Sequence, residues 1–94
     1  MTDYYTRVDG VVRRATLAEW ANWFEAGGNR VKVTELPGGV TVSTVFLGTP
    51  HVGGMFETMA FGGPFDQEQA RSETEAAAMA DHAGMVARCQ AGSN

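Results

Sequence analysis

Residues 40–61, VTVSTVFLGTPHVGGMFETMAF, constrain the fold more than any other stretch. Two apolar runs of strand length are parted by a loop that carries Pro50 and three glycines. They read as the two central strands of an antiparallel sheet. In the first run Val40, Val42, Thr44 and Phe46 share one face, and Thr41, Ser43, Val45 and Leu47 share the other. Neither face is strongly polar, whereas an antiparallel strand with one wet face alternates more cleanly. The pattern therefore predicts a sheet covered on both sides, by helices on one and by a second subunit on the other. In the second run Met55, Glu57, Met59 and Phe61 share a face, which sets one carboxylate among apolar side chains.

The flanking segments supply the remaining elements. Tyr4, Tyr5, Thr6, Arg7 and Val8 favour a strand, and Asp9-Gly10 before Val11-Val12-Arg13 favours a type I′ hairpin. Thr16 and Glu19 have the spacing of a capping box, and Gly27-Gly28 stop the helix that follows. Leu17, Trp20, Ala21 and Phe24 form its apolar stripe, with Trp23 beside it. Residues 30–36 alternate so that Val31 and Val33 face in while Lys32 and Thr34 face out; Pro37-Gly38-Gly39 then turn the chain back. Residues 67–71 add a short edge strand. Ser72 and Glu75 repeat the capping spacing and open an alanine-rich helix that ends before Gly92. Its apolar stripe is Ala76, Met79, Ala80, Ala83 and Val86, and His82, Met85 and Cys89 form a neighbouring row. The expectation is a single α+β domain over 1–94. Its antiparallel sheet has about four to six strands with an N-terminal hairpin, a short aromatic helix over about 16–26 and an alanine-rich helix over about 73–90.

Composition excludes several classes. A domain of 94 residues buries only about two-thirds of its unfolded surface, so a partner subunit would help it. Hydrophobic residues at 44% are enough for a core and too many for a disordered tail. The net charge of −4 argues against a sequence-independent nucleic-acid binder and is too small for a DNA mimic. A single cysteine, Cys89, forms no internal disulfide, and a cytosolic setting fits. The opening residues lack the apolar core of a signal peptide, and no run approaches the roughly 20 apolar residues that span a bilayer, so no membrane insertion is expected.

No catalytic or metal signature stands out. His51 lies in a loop and His82 on a helix, with no second ligand at metal spacing. His82 and Cys89 are two turns apart, about 10 Å along a helix, too far for one ion or a catalytic pair. His82 reads instead as a boundary residue with a hydrogen bond. The glycine-rich loops match neither a Walker loop nor a dinucleotide fingerprint, so no cofactor is expected. Glu57 is either a solvated or structurally paired glutamate, or a half-buried acid near a site with a chosen partner, an arginine above all. The aromatics of the first helix fill the seam between helix and sheet, or Trp23 stands out as an interface anchor.

The segments Val42-Ser43-Thr44-Val45-Phe46-Leu47-Gly48, His51, Phe56-Glu57-Thr58-Met59 and Phe61-Gly62-Gly63, with Thr74, Ala77 and His82, carry a resemblance. Together with Tyr4-Tyr5, Arg7 and Trp20, they resemble a family of short bacteriophage and prophage proteins, notably of actinobacteria, that has no assigned chemistry. The middle loop departs from it: Thr49-Pro50 stand where relatives tend to have an acid before the histidine, and fewer residues follow. The resemblance implies a phage accessory protein of the host cytoplasm; the expectation is a non-enzymatic one that binds and modulates a bacterial host protein, and the two half-apolar sheet faces suggest a homodimer. The alternative is a small-molecule binder that sequesters a nucleotide signal, by base stacking on Trp or Tyr and phosphate contacts from Arg13, Arg14 and Arg71. Trp23, Met55, Glu57, Met59, Arg71 and His51 are the residues expected to meet the partner or ligand.

Overall fold

A computed structural model describes residues 2–92. The elements are β1 (Tyr4–Val8), β2 (Val11–Ala15), α1 (Leu17–Glu25), β3 (Arg30–Leu36), β4 (Val40–Phe46), β5 (Phe56–Phe61), β6 (Gln69–Ser72) and α2 (Glu75–Gly92). β1 and β2 form a two-stranded antiparallel sheet, and the others a four-stranded antiparallel sheet in the order β3-β4-β5-β6. The expected α+β architecture is therefore present. Asp9 and Gly10 both take positive φ, 52° and 78°, as a type I′ turn requires. The capping box at Thr16 forms with both of its hydrogen bonds.

The second helix starts later than its capping pattern suggests. Ser72 ends β6 and is buried, and Thr74 caps α2 by accepting from the Ala77 N–H at 3.1 Å. The helix also runs on through Gly92. Its buried row is Ala78, His82, Met85 and Cys89, while Ala76, Ala80 and Ala83 of the expected stripe face solvent. In α1, too, the stripe is turned: Leu17 and Phe24 stay exposed and the two tryptophans face inward.

β3 gives the sharpest correction. Val33 was expected inside and Thr34 outside, and the reverse holds: Val33 is 49% exposed, while Thr34 bonds to buried His82. The cause is a bulge. Arg30 pairs with Val45 and Lys32 with Thr44, so two residues of β3 oppose one of β4. One extra residue exchanges the faces of everything beyond it. Val31, ahead of the shift, packs inward against Phe46 and its neighbours as expected.

The core lies between α2 and one face of the four-stranded sheet and comes in three parts. Val40, Val42, Ala60, Met85 and Cys89 form one apolar cluster; Phe46, Phe56 and Ala78 form another. A polar layer stands between them. Thr44 Oγ1 lies 2.7 Å from Thr58 Oγ1 and 2.8 Å from His82 Nδ1, and His82 Nε2 lies 2.8 Å from Thr34 Oγ1. Two threonines and a histidine inside a small core are tolerated because each polar atom has a partner.

α1 is the wedge that joins the two sheets. The Trp20 indole N–H donates to the Leu47 carbonyl at 3.0 Å, and that of Trp23 to the Arg7 carbonyl at 2.9 Å. Trp23 also meets Phe46 edge-on at 6.1 Å. The Tyr5 N–H donates to the Gly48 carbonyl at 2.8 Å, and Arg7 reaches across to Glu75 on α2. The hairpin extends from this anchored base, and the molecule measures 46 × 23 × 23 Å.

Candidate functional site

The strand register sorts the sheet into two faces. Phe56, Thr58 and Ala60 point toward α2, so Glu57, Met59 and Phe61 point away. Neither helix packs on that second face. Its side chains form three rows across the strands, since paired residues share a face. Arg30, Val45, Glu57 and Arg71 form the first row, and Val33, Ser43, Met59 and Gln69 the second. Glu35, Thr41 and Phe61 form the third. Thr41, Ser43, Val45 and Met59 on the inner strands are apolar or small; Arg30, Glu35 and Arg71 stand on the edge strands, and Glu57 on β5 is paired with Arg71. Phe61, at the end of β5 and beyond the reach of β6, is 45% exposed.

Glu57 has the arginine partner its half-buried setting asks for. Arg71, opposite it on β6, donates from Nε at 3.1 Å and from Nη2 at 2.9 Å to the same carboxylate oxygen. The pair offsets the desolvation of both charges and engages Glu57 Oε2.

The six candidate residues divide into three places. Glu57, Met59 and Arg71 share the helix-free face. His51 and Met55 line a cleft of about 270 Å³ with Tyr5, Pro50, Gly54 and Glu73. Trp23 sits in the seam between hairpin and sheet with its N–H engaged. In the cleft, His51 Nδ1–H donates to the Thr49 carbonyl at 2.8 Å. The one charge in the lining is the carboxylate of Glu73; Arg13, Arg14 and Arg71 lie elsewhere, so the cleft offers no cationic group to a phosphate. Glu57 is bonded to Arg71 and does not line the cleft that holds His51.

Two titrating groups report local structure. Burial holds His82 below its ordinary value of 6.5, and the positive charge of Lys32 adds to the effect. The hydrogen bond from Arg7 holds the Glu75 carboxyl below its ordinary value. Among the described residues, no group of three His, Cys, Asp or Glu side chains is placed to hold a metal ion. No helix of the described chain is long and apolar enough to cross a membrane.

Sequence reasoning missed one surface, the outer edge of β2. Val11, Val12, Arg13 and Arg14 are all exposed. The available signal was a strand without Pro or bulge that carries two adjacent like charges. Compared with protein-family models, with curated proteins and with solved structures, the chain matches none, and its own geometry is what a functional reading stands on.

Proposed function

We propose that this chain is a non-enzymatic interaction protein that works as a homodimer and, as its resemblance to phage accessory proteins implies, binds and modulates a bacterial host protein in the host cytoplasm. The observation that carries the reading is the helix-free sheet face. It carries Val33, Val45, Met59 and Phe61, apolar groups that a water-facing sheet would replace with polar ones. A second copy fits that face by charge. A two-fold axis along the middle row, perpendicular to the strands, lays the first row of one copy over the third row of the other. Arg30 then meets Glu35 of the second copy, twice by symmetry, and Val33 meets its own image at the axis.

Light scattering tests this directly. The expected mass is twice the 10.0 kDa of one chain. Val33→Arg, on an exposed edge-strand position, should give a folded monomer by circular dichroism and scattering. A wild-type monomer at micromolar concentration would remove the dimer from the reading. The host arm is tested by affinity purification from host lysate. One stoichiometric protein, reconstituted from purified components, supports it, and failure of the purified pair to bind refutes it.

A further inference from the structure

We propose that the free edge of β2 is a strand-addition site for an acidic, extended polypeptide segment. This rests on the interaction reading above and names the chemistry of the partner, but it fails separately from the dimer.

The hairpin register is unbroken over five pairs, from Val8 and Val11 beside the turn to Tyr4 and Ala15 at the base. Behind a two-residue turn the closing pair exchanges hydrogen bonds, and the pattern alternates along the ladder. Tyr5, Arg7, Val12 and Arg14 therefore point their backbone groups outward. On the β1 side these groups are engaged, Tyr5 N–H by Gly48 and Arg7 C=O by Trp23. On the β2 side the N–H and C=O of Val12 and Arg14 have no protein partner among the described residues. The ends of the larger sheet are handled differently. β3 carries the bulge and three charges, Arg30, Lys32 and Glu35. β6 is backed by Gly54, where a Cβ would lie 2.1 Å from the Ser72 carbonyl oxygen. Bulges, charges and covering loops are the usual ways of blunting an edge, and β2 has only its arginines.

Those arginines select the occupant. A second copy paired antiparallel through β2 would set Arg13 opposite Arg13, and like charges directly opposite repel. An acid at that position would instead sit about 5 Å away between Cβ atoms. Among the described residues Arg13 has no ion-pair partner, whereas Arg14 is held by Asp3. Arg13 borders an open groove of about 420 Å³ with Val8, Asp9 and Val11, on one face of the hairpin. A segment alternating acidic and apolar residues would pair its backbone with Val12 and Arg14, set its carboxylates on the face that carries Arg13 and lay its apolar groups beside Val12 on the other face.

The experiment is fluorescence anisotropy with a short labelled peptide alternating glutamate and valine, beside its lysine–valine counterpart. Saturable binding of the acidic peptide alone is expected, weakened at least about tenfold by Arg13→Glu. Val12→Pro should abolish it, because proline removes an outward N–H that the hairpin itself does not use. Amide shifts on titration should fall at residues 11–15. The monomeric Val33→Arg chain should bind the peptide as the wild type does, which separates this site from the dimer face. Absence of saturable binding, equal binding of the lysine peptide, or shifts mapped elsewhere would overturn the proposal. Weakening by Arg13→Glu with Val12→Pro unaffected would mean a charge contact without strand addition and would overturn it too.

Discussion

Replacing Thr44 with valine tests whether the polar layer holds the core together. Thr44 is fully buried, and its hydroxyl bridges Thr58 Oγ1 and His82 Nδ1. Valine has nearly the same shape, so little cavity or clash arises. What changes is that two buried groups each lose a partner, at about 1–3 kcal/mol apiece. The new buried methyl returns roughly 0.8 kcal/mol. The expected net loss is about 1–5 kcal/mol, against a total of roughly 5–14 kcal/mol for a chain this long. Urea denaturation at pH 7.5 would read it as an earlier midpoint with an unchanged slope. The thermal midpoint should fall by about 4–8 °C for each kcal/mol lost.

The same layer sets a pH dependence. His82 is 2% exposed, and its pKa is lower in the folded chain than the ordinary 6.5. The unfolded chain therefore binds a proton that the native state resists. Stability is fully present above pH 6.5 and declines as pH falls from there toward the lowered folded value, by at most about 1.4 kcal/mol per pH unit. The carboxylates held below their ordinary values, Glu19 and Glu75, act in a separate window below pH 4.5. His82→Leu should flatten the slope between pH 7 and 5 while leaving the acid limb in place. A Thr44→Val cost under about 0.5 kcal/mol, or equal slopes in wild type and His82→Leu, would refute the reasoning.

Two further outcomes follow from the joints of the hairpin. Gly48 has φ +74°, and a Cβ there would lie 2.3 Å from the Tyr5 carbonyl oxygen and 2.5 Å from Trp20 Nε1; Gly48→Ala should cost more than about 2 kcal/mol in denaturant unfolding and loosen α1. Arg7→Ala removes the 2.8 Å bond to Glu75, so the Glu75 carboxyl, titrated by NMR, should rise toward 4.5, and hairpin amides should exchange faster with solvent.

Local signals were legible in the residues, and choices between faces were not. Asp9-Gly10, the Thr16–Glu19 box and the two apolar runs each act within a few residues, and all three appear where the sequence puts them. The acid among methionines raised the question of an arginine partner, and the pairing of β5 with β6 supplies Arg71; nothing in the residues said which side of the sheet it faces. The bulge at β3 escaped because Arg-Val-Lys-Val-Thr alternates well in either setting; only the pairing partner shows the slip. The β2 edge escaped because openness is a property of what does not pack nearby, and a single strand's sequence does not report its neighbours.

The row that α2 buries was the hardest to read, and the reason lies in its alanines. A helix with small residues on every side has several rotations of similar apolar burial, and the Met79–Val86 stripe competes with Met85–Cys89 on nearly equal terms. What separates them is polar. With the Met79 side turned in, Thr44 and Thr58 would meet only aliphatic atoms, and the ring that bonds to Thr34 and Thr44 would point to solvent. The observed rotation is the one that gives the three hydroxyls and the imidazole their partners. The choice carries through the sheet. Thr44 and Thr58 must face the histidine, so Val45, Glu57 and Met59, one residue along, must face away. The open face therefore owes its position to the least hydrophobic layer of the core.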